Sequence, residues 1–88
     1  MLTPIFTGSF KKDRRLMAKR GRDMDKLTDV MKLLVNEQPL LPKHCNHPLQ
    51  GNYKGKWECH VEPDWLLVYR KAGQEVIFYR TGTHSDLF

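Results

Sequence analysis

The sequence predicts an α+β domain: a two-helix hairpin packed on one face of a mostly antiparallel, four-stranded sheet, with an N-terminal edge strand. Three observations predict it. Apolar residues recur at helical spacing between residues 10 and 35, they alternate at period two from Tyr53 to Val61, and short turn clusters separate the runs that follow. With 88 residues, the chain makes one domain spanning residues 1–88 and has no room for a second core.

Residues 2–6 read as a short strand. Pro4 lacks an N–H, which confines that strand to an edge or to its first positions. Thr7-Gly8-Ser9 reads as a break with Ser9 as the helix N-cap, followed by a helix over residues 10–20 whose thin apolar stripe is Phe10, Leu16 and Met17. Gly21 suits the left-handed position after its end. Asp23 caps a second helix, where Met24, Leu27, Val30, Met31, Leu34 and Val35 define one apolar face, and Pro39 and Pro42 stop it. Residues 44–51 read as a loop. From Tyr53 the side chains alternate, with Tyr53, Gly55, Trp57, Cys59 and Val61 on one face and Lys54, Lys56, Glu58 and His60 on the other. Such a strand covers a core with one side and offers chemistry with the other. Glu62-Pro63-Asp64 is a turn, residues 65–70 a central strand, Lys71 to Gln74 a hairpin, and residues 75–81 the last strand. Gly82 onward reads as a tail carrying Thr83, His84 and Phe88. The sheet face away from the helices is left open for a ligand.

Charge is distributed unevenly. The net charge is +5, with ten Lys/Arg against five Asp/Glu up to Lys43 and five against five thereafter. The excess concentrates in Lys11, Lys12, Arg14, Arg15, Lys19, Arg20 and Arg22, a stripe that suits a polyanion or an acidic protein as well as a solvated helix face. No run approaches the ~18 apolar residues of a membrane span, and the N-terminus lacks a signal-peptide core, so the expected location is the cytoplasm. Cys45 and Cys59 are expected to be reduced.

The chemistry-bearing residues cluster after His47. RNA can be cleaved without metal when its own 2′-hydroxyl attacks the adjacent phosphate, given a base, an acid and positive charge on the phosphorane. Histidine suits the first two roles, and Lys and Arg the third. His47, His60 and His84, with Lys54, Lys56 and Arg80, form a sufficient set if the fold gathers them. Each has a plainer reading. His47 precedes Pro48 in a loop, His60 ends a solvated strand face, and His84 lies in a near-terminal tail. Asp64 either orients a histidine or only fixes its turn. Arg80 meets a phosphate or closes a salt bridge, and Phe88 frays or stacks on a base. Trp57 and Trp65 read as core. His44, Cys45, His47, Cys59 and His60 lack the paired spacing of zinc motifs, so neither a metal nor a cofactor is expected.

Three separate motifs then point further: His47-Pro48-Leu49-Gln50-Gly51, His60-Val61-Glu62-Pro63-Asp64-Trp65, and Arg80-Thr81-Gly82-Thr83-His84 with Leu87-Phe88. In this order and spacing they resemble YafQ-type toxins of the RelE/ParE toxin–antitoxin superfamily. The resemblance covers essentially the whole chain. It implies a ribosome-dependent endoribonuclease cutting mRNA in the A site by 2′-hydroxyl attack. The implied catalytic residues are His47, His60, Asp64 and His84, with Phe88 as base contact and Arg80 on the active surface. Glu58 falls where the family often has an acidic residue. The resemblance also implies that the Lys11–Arg22 stripe meets ribosomal RNA or an acidic antitoxin, in a neutralised complex of two toxins with two antitoxins. The competing readings are a non-enzymatic ParE-like toxin that binds DNA gyrase and a non-catalytic RNA-binding module.

Overall fold

A computed structural model describes residues 1–88. In chain order the elements are β1 (Thr3–Phe6), α1 (Gly8–Lys19), α2 (Met24–Val35), a 3-10 turn (Pro42–His44), β2 (His47–Pro48), a second 3-10 turn (Gly51–Tyr53), β3 (Trp57–Glu62), β4 (Trp65–Ala72), β5 (Glu75–Gly82) and α3 (His84–Leu87). The sheet has five strands in the order β1-β5-β4-β3-β2, with β1 parallel to β5 and every other pair antiparallel. The four-strand expectation is therefore corrected. The added strand is the two-residue β2, which lies within the segment that reads as a loop. It is too short to show any alternation, and only pairing with β3 makes it a strand. The tail also differs from expectation, because it closes in the short helix α3.

The helix ends follow local chemistry. Thr7, not Ser9, caps α1: its Oγ1 accepts the Phe10 N–H at 3.0 Å and donates to the Tyr79 carbonyl, tying the helix start to β5. At the other end Gly21 adopts φ +80°, with Gly21 N–H on the Ala18 carbonyl and Arg22 N–H on Met17, a Schellman stop. Asp23 caps α2 as expected. α2 ends before either proline, through the same motif with Glu37 at φ 55°.

Both helices pack on one sheet face. Phe10, Met17, Leu27, Val30 and Leu34 meet Cys59, Val61, Trp65, Leu67, Tyr69, Val76 and Phe78 in a core whose aromatic centre is Phe6, Phe10 and Phe78, with centroids 5.6–5.8 Å apart. Leu16 stays outside; Asp13 takes its place on the buried side of α1 and accepts the Thr81 N–H, which is unclaimed where β1 has ended. Trp65 is buried and donates to Thr81 Oγ1 at 2.9 Å, whereas Trp57, expected in the core, is 40% exposed because it lies beyond the helices' cover. The opposite face is not simply open. Leu66 and Val68 are covered by Leu87 of α3, with Leu49, Tyr53 and Tyr79 around them. This explains why β4 reads as a continuous apolar run: both of its faces are covered. Cys45 and Cys59 are free thiols, and burial pushes Cys59 up to about 12. No helix is long and apolar enough to cross a membrane.

Candidate active site

The site forms where β2, the β3–β4 hairpin and α3 meet on the face away from α1 and α2. Glu58 and His60 are two residues apart on β3, so both project to that face. β2 sets His47 directly opposite Glu58. Glu58 Oε1 lies 3.3 Å from His60 Nε2 and 3.6 Å from His47 Nε2, and Glu58 is only 4% exposed. A buried carboxylate thus sits between two imidazoles. His47 Nδ1 lies 3.1 Å from the Pro48 carbonyl, so both of its ring nitrogens have protein neighbours.

The second half of the site comes from the two turns that flank it. Asp64 Oδ1 accepts the His84 backbone N–H at 3.1 Å and lies 2.7 Å from His84 Nδ1. The His84 side-chain hydrogen bond, then its backbone N–H, hold the Asp64 carboxyl below the ordinary carboxylate range. With Nδ1 on Asp64, His84 Nε2 has no protein partner. The His60 and His84 rings meet edge to face, centroids 5.9 Å apart at 76°. Each ring of this pair thus has a carboxylate at one nitrogen, Glu58 (shared with His47) for His60 and Asp64 for His84, and the hydrogen bond to Asp64 fixes the orientation of the His84 ring.

The cationic and aromatic candidates stand in different states. Arg80 directs Nε and Nη2 to Asp13 at 2.5 and 3.2 Å, and this hydrogen bond raises its pKa against the opposing effect of burial. Lys56 Nζ sits 4.2 Å from the Tyr79 ring centroid and 5.5 Å from that of Tyr53. Lys54 is exposed and unpaired. Phe88 is 60% exposed and packs edge-on to Tyr53 at 5.3 Å, close to α3.

The basic stripe divides in two. Lys11, Lys12, Arg15 and Lys19 are exposed and make no ion pair. Arg14 lies over Phe6 and Phe10 at 5.3 and 5.6 Å, Arg22 pairs with Glu62 at 3.7 Å and faces Trp65, and Arg20 grips Asp86.

Sequence reasoning kept Glu58 out of the catalytic set. The signal was present in its shared strand face with His60, but its approach to His47 depends on β2. The His47, Glu58 and His60 donor atoms all lie within 4.8 Å of one another, a set of imidazole and carboxylate ligands that fits a transition metal.

A family model described as the bacterial toxin of type II toxin–antitoxin system, YafQ, matches residues 2–88. The chain is 46% identical to the mRNA interferase toxin YafQ of Escherichia coli K12 over 84 residues, covering 94% of this chain and 91% of that one. It superimposes on YafQ in the crystal structure of the E. coli DinJ–YafQ toxin–antitoxin complex with TM-score 0.91 and 44% identity, covering 99% and 97% of the two chains. It superimposes on a metal-bound toxin from Helicobacter pylori with TM-score 0.92 and 44% identity over the full length of both. The chain belongs to the YafQ family of bacterial toxins of type II toxin–antitoxin systems.

Proposed function

We propose that this toxin is an mRNA interferase that cuts messenger RNA in the ribosomal A site without a metal ion. The observation that carries the reading is the His60–His84 pair, each ring with a carboxylate at one nitrogen and the two centroids 5.9 Å apart. One imidazole takes the proton of the 2′-hydroxyl as O2′ bonds to phosphorus; the other protonates the leaving O5′ as the P–O5′ bond breaks. The products are a 2′,3′-cyclic phosphate and a 5′-hydroxyl. His47 supports Glu58, Asp64 orients His84, and Phe88 stacks on a base. Lys54, Lys56 and the remaining donors of Arg80 face the phosphate charge. The identity to the E. coli mRNA interferase toxin supports the same activity here.

A metal held by His47, Glu58 and His60 would supply Lewis acidity, but it would take one His60 nitrogen together with the Glu58 carboxylate that backs that ring, and so compete with the proton that this reading places on His60. Bound metal is therefore expected to inhibit. The E. coli relative crystallised with DinJ supports a cognate antitoxin as partner. On charge grounds that antitoxin is acidic, and the family resemblance implies a complex of two toxins and two antitoxins. The unpaired Lys11, Lys12, Arg15 and Lys19 suit ribosomal RNA by the same electrostatics.

The test is cleavage of a defined mRNA by purified protein, with and without programmed ribosomes. Cuts only with ribosomes, within A-site codons and unaffected by a transition-metal chelator that spares Mg²⁺, are expected. No cutting by the folded protein, with inhibition of gyrase supercoiling instead, would overturn the reading.

A further inference from the structure

His84 stands on a helix that cannot hold itself. α3 is four residues long, far below the length at which a helix persists unaided. Its position rests on Leu87 beneath it, on Asp64 at the His84 N–H, on the Tyr53 hydroxyl donated to the Leu87 carbonyl at 3.4 Å, and on one polar cluster at its start. Asp86 Oδ2 accepts both the Thr83 N–H and the Thr83 hydroxyl at 2.9 Å, while Thr83 Oγ1 accepts the Asp86 N–H at 3.3 Å. This reciprocal box sets the backbone one residue before His84. The same carboxylate receives a fork from Arg20, with Nη1 on Oδ2 at 2.7 Å and Nη2 on Oδ1 at 3.0 Å. Arg20 is itself the C-cap of α1, 66 residues away, and its backbone N–H bonds to Leu16. The geometry leaves little slack at this point: a Cβ on Gly82 would lie 3.0 Å from both Cβ and Oδ2 of Asp86.

We infer that Arg20 and Asp86 are positioning residues that latch α3 to the end of α1 and so hold His84 against Asp64 and opposite His60. An exposed ion pair contributes little to global stability. Here the pair is bidentate, and it anchors the segment that carries a candidate acid–base group, so its effect falls on geometry. Arg20 belongs to the stripe whose simplest role is contact with ribosomal RNA; the latch gives it a different role from Lys11, Lys12, Arg15 and Lys19. The inference deepens the nuclease reading and, for its kinetic part, rests on it.

The experiment compares the full-length protein with Arg20→Ala, Asp86→Asn and the double variant. It measures single-turnover mRNA cleavage on programmed ribosomes and the His84 Nδ1–H signal in protein labelled with ¹⁵N-histidine. Both single variants are expected to lower the maximal rate about ten-fold, as for a displaced reacting group, with half-saturating ribosome concentration unchanged. The double variant should fall no further than the worse single, because the two side chains act as one unit. The His84 signal should broaden or shift in all three, and Arg20→Lys should restore part of the rate. A raised half-saturation in Arg20→Ala with full maximal rate, and wild-type behaviour in Asp86→Asn, would overturn the latch and make Arg20 an RNA contact. If the unmodified protein cuts nothing, the nuclease reading fails. The histidine spectrum then decides the latch by itself: an unchanged His84 signal in Arg20→Ala rejects it.

Discussion

The two faces of the sheet are built from the same strands but on different terms. The helix-covered face gathers thirteen buried residues into one core; the other has three, Leu66, Val68 and Leu87, with a rim of half-buried aromatics. The first face holds its neighbours by apolar area and aromatic stacking. The second holds the candidate acid–base groups through single hydrogen bonds and ion pairs from turns and a four-residue helix. The difference teaches that period-two alternation lets one strand, β3, serve both sides: Cys59 and Val61 anchor the core while Glu58 and His60 face the site. Stability and chemistry can then be altered separately.

The largest separation should come from one substitution on each face. Phe78→Ala removes the ring at the centre of the aromatic core and is expected to cost about 3–5 kcal/mol, a large part of the stability of so small a domain. Urea unfolding checks it. His84→Ala, on an exposed side chain of the other face, should lower cleavage about 100- to 10,000-fold with the urea midpoint nearly unchanged. Comparable loss of stability in both variants would erase the distinction between the faces.

A smaller effect concerns the periphery. Lys11→Ala with Lys12→Ala should weaken ribosome association and reduce the slope of log affinity against log salt by about two, one per side chain, leaving the maximal rate intact. Binding measured across a salt series decides this, and an unchanged slope would remove both residues from the contact.

The smallest effect is acid titration of α3. Arg20's hydrogen bonds hold Asp86 well below its ordinary value of 3.8. A folded value depressed in this way means a contribution present in full above 3.8 and lost as pH falls through the lower folded value. Carboxyl NMR should show Asp86 still ionised in folded protein at about pH 3, where an ordinary carboxyl is mostly protonated, and Arg20→Ala should move its titration upward. Ordinary titration in the unmodified protein would contradict the pairing.

Much of the stable face was legible in the sequence. The α2 periodicity, Asp23 and Gly21 are local signals, and local signals fix local structure. The alternation read from Tyr53 holds only from Trp57 to Val61, because Tyr53 lies in a 3-10 turn and packs on the other face against Leu66 and Val68. The site face was less legible because its contacts join distant residues. Arg20 meets Asp86 across 66 positions and Arg80 meets Asp13 across 67, and no spacing rule connects them. Glu58 acquires its place between His47 and His60 only through β2, two residues with no pattern of their own. α3 did carry a sign: Thr83 and Asp86 stand three apart, the spacing of a capping box, at the start of what otherwise reads as a tail.

The central claim is that the site face performs proton transfer with two histidines. Its most direct test is single-turnover cleavage on programmed ribosomes from pH 5 to 9, with the cut ends mapped. The account predicts a bell-shaped rate around neutrality and ends bearing a 2′,3′-cyclic phosphate and a 5′-hydroxyl. A flat profile, or ends bearing a 3′-hydroxyl and a 5′-phosphate, would contradict it.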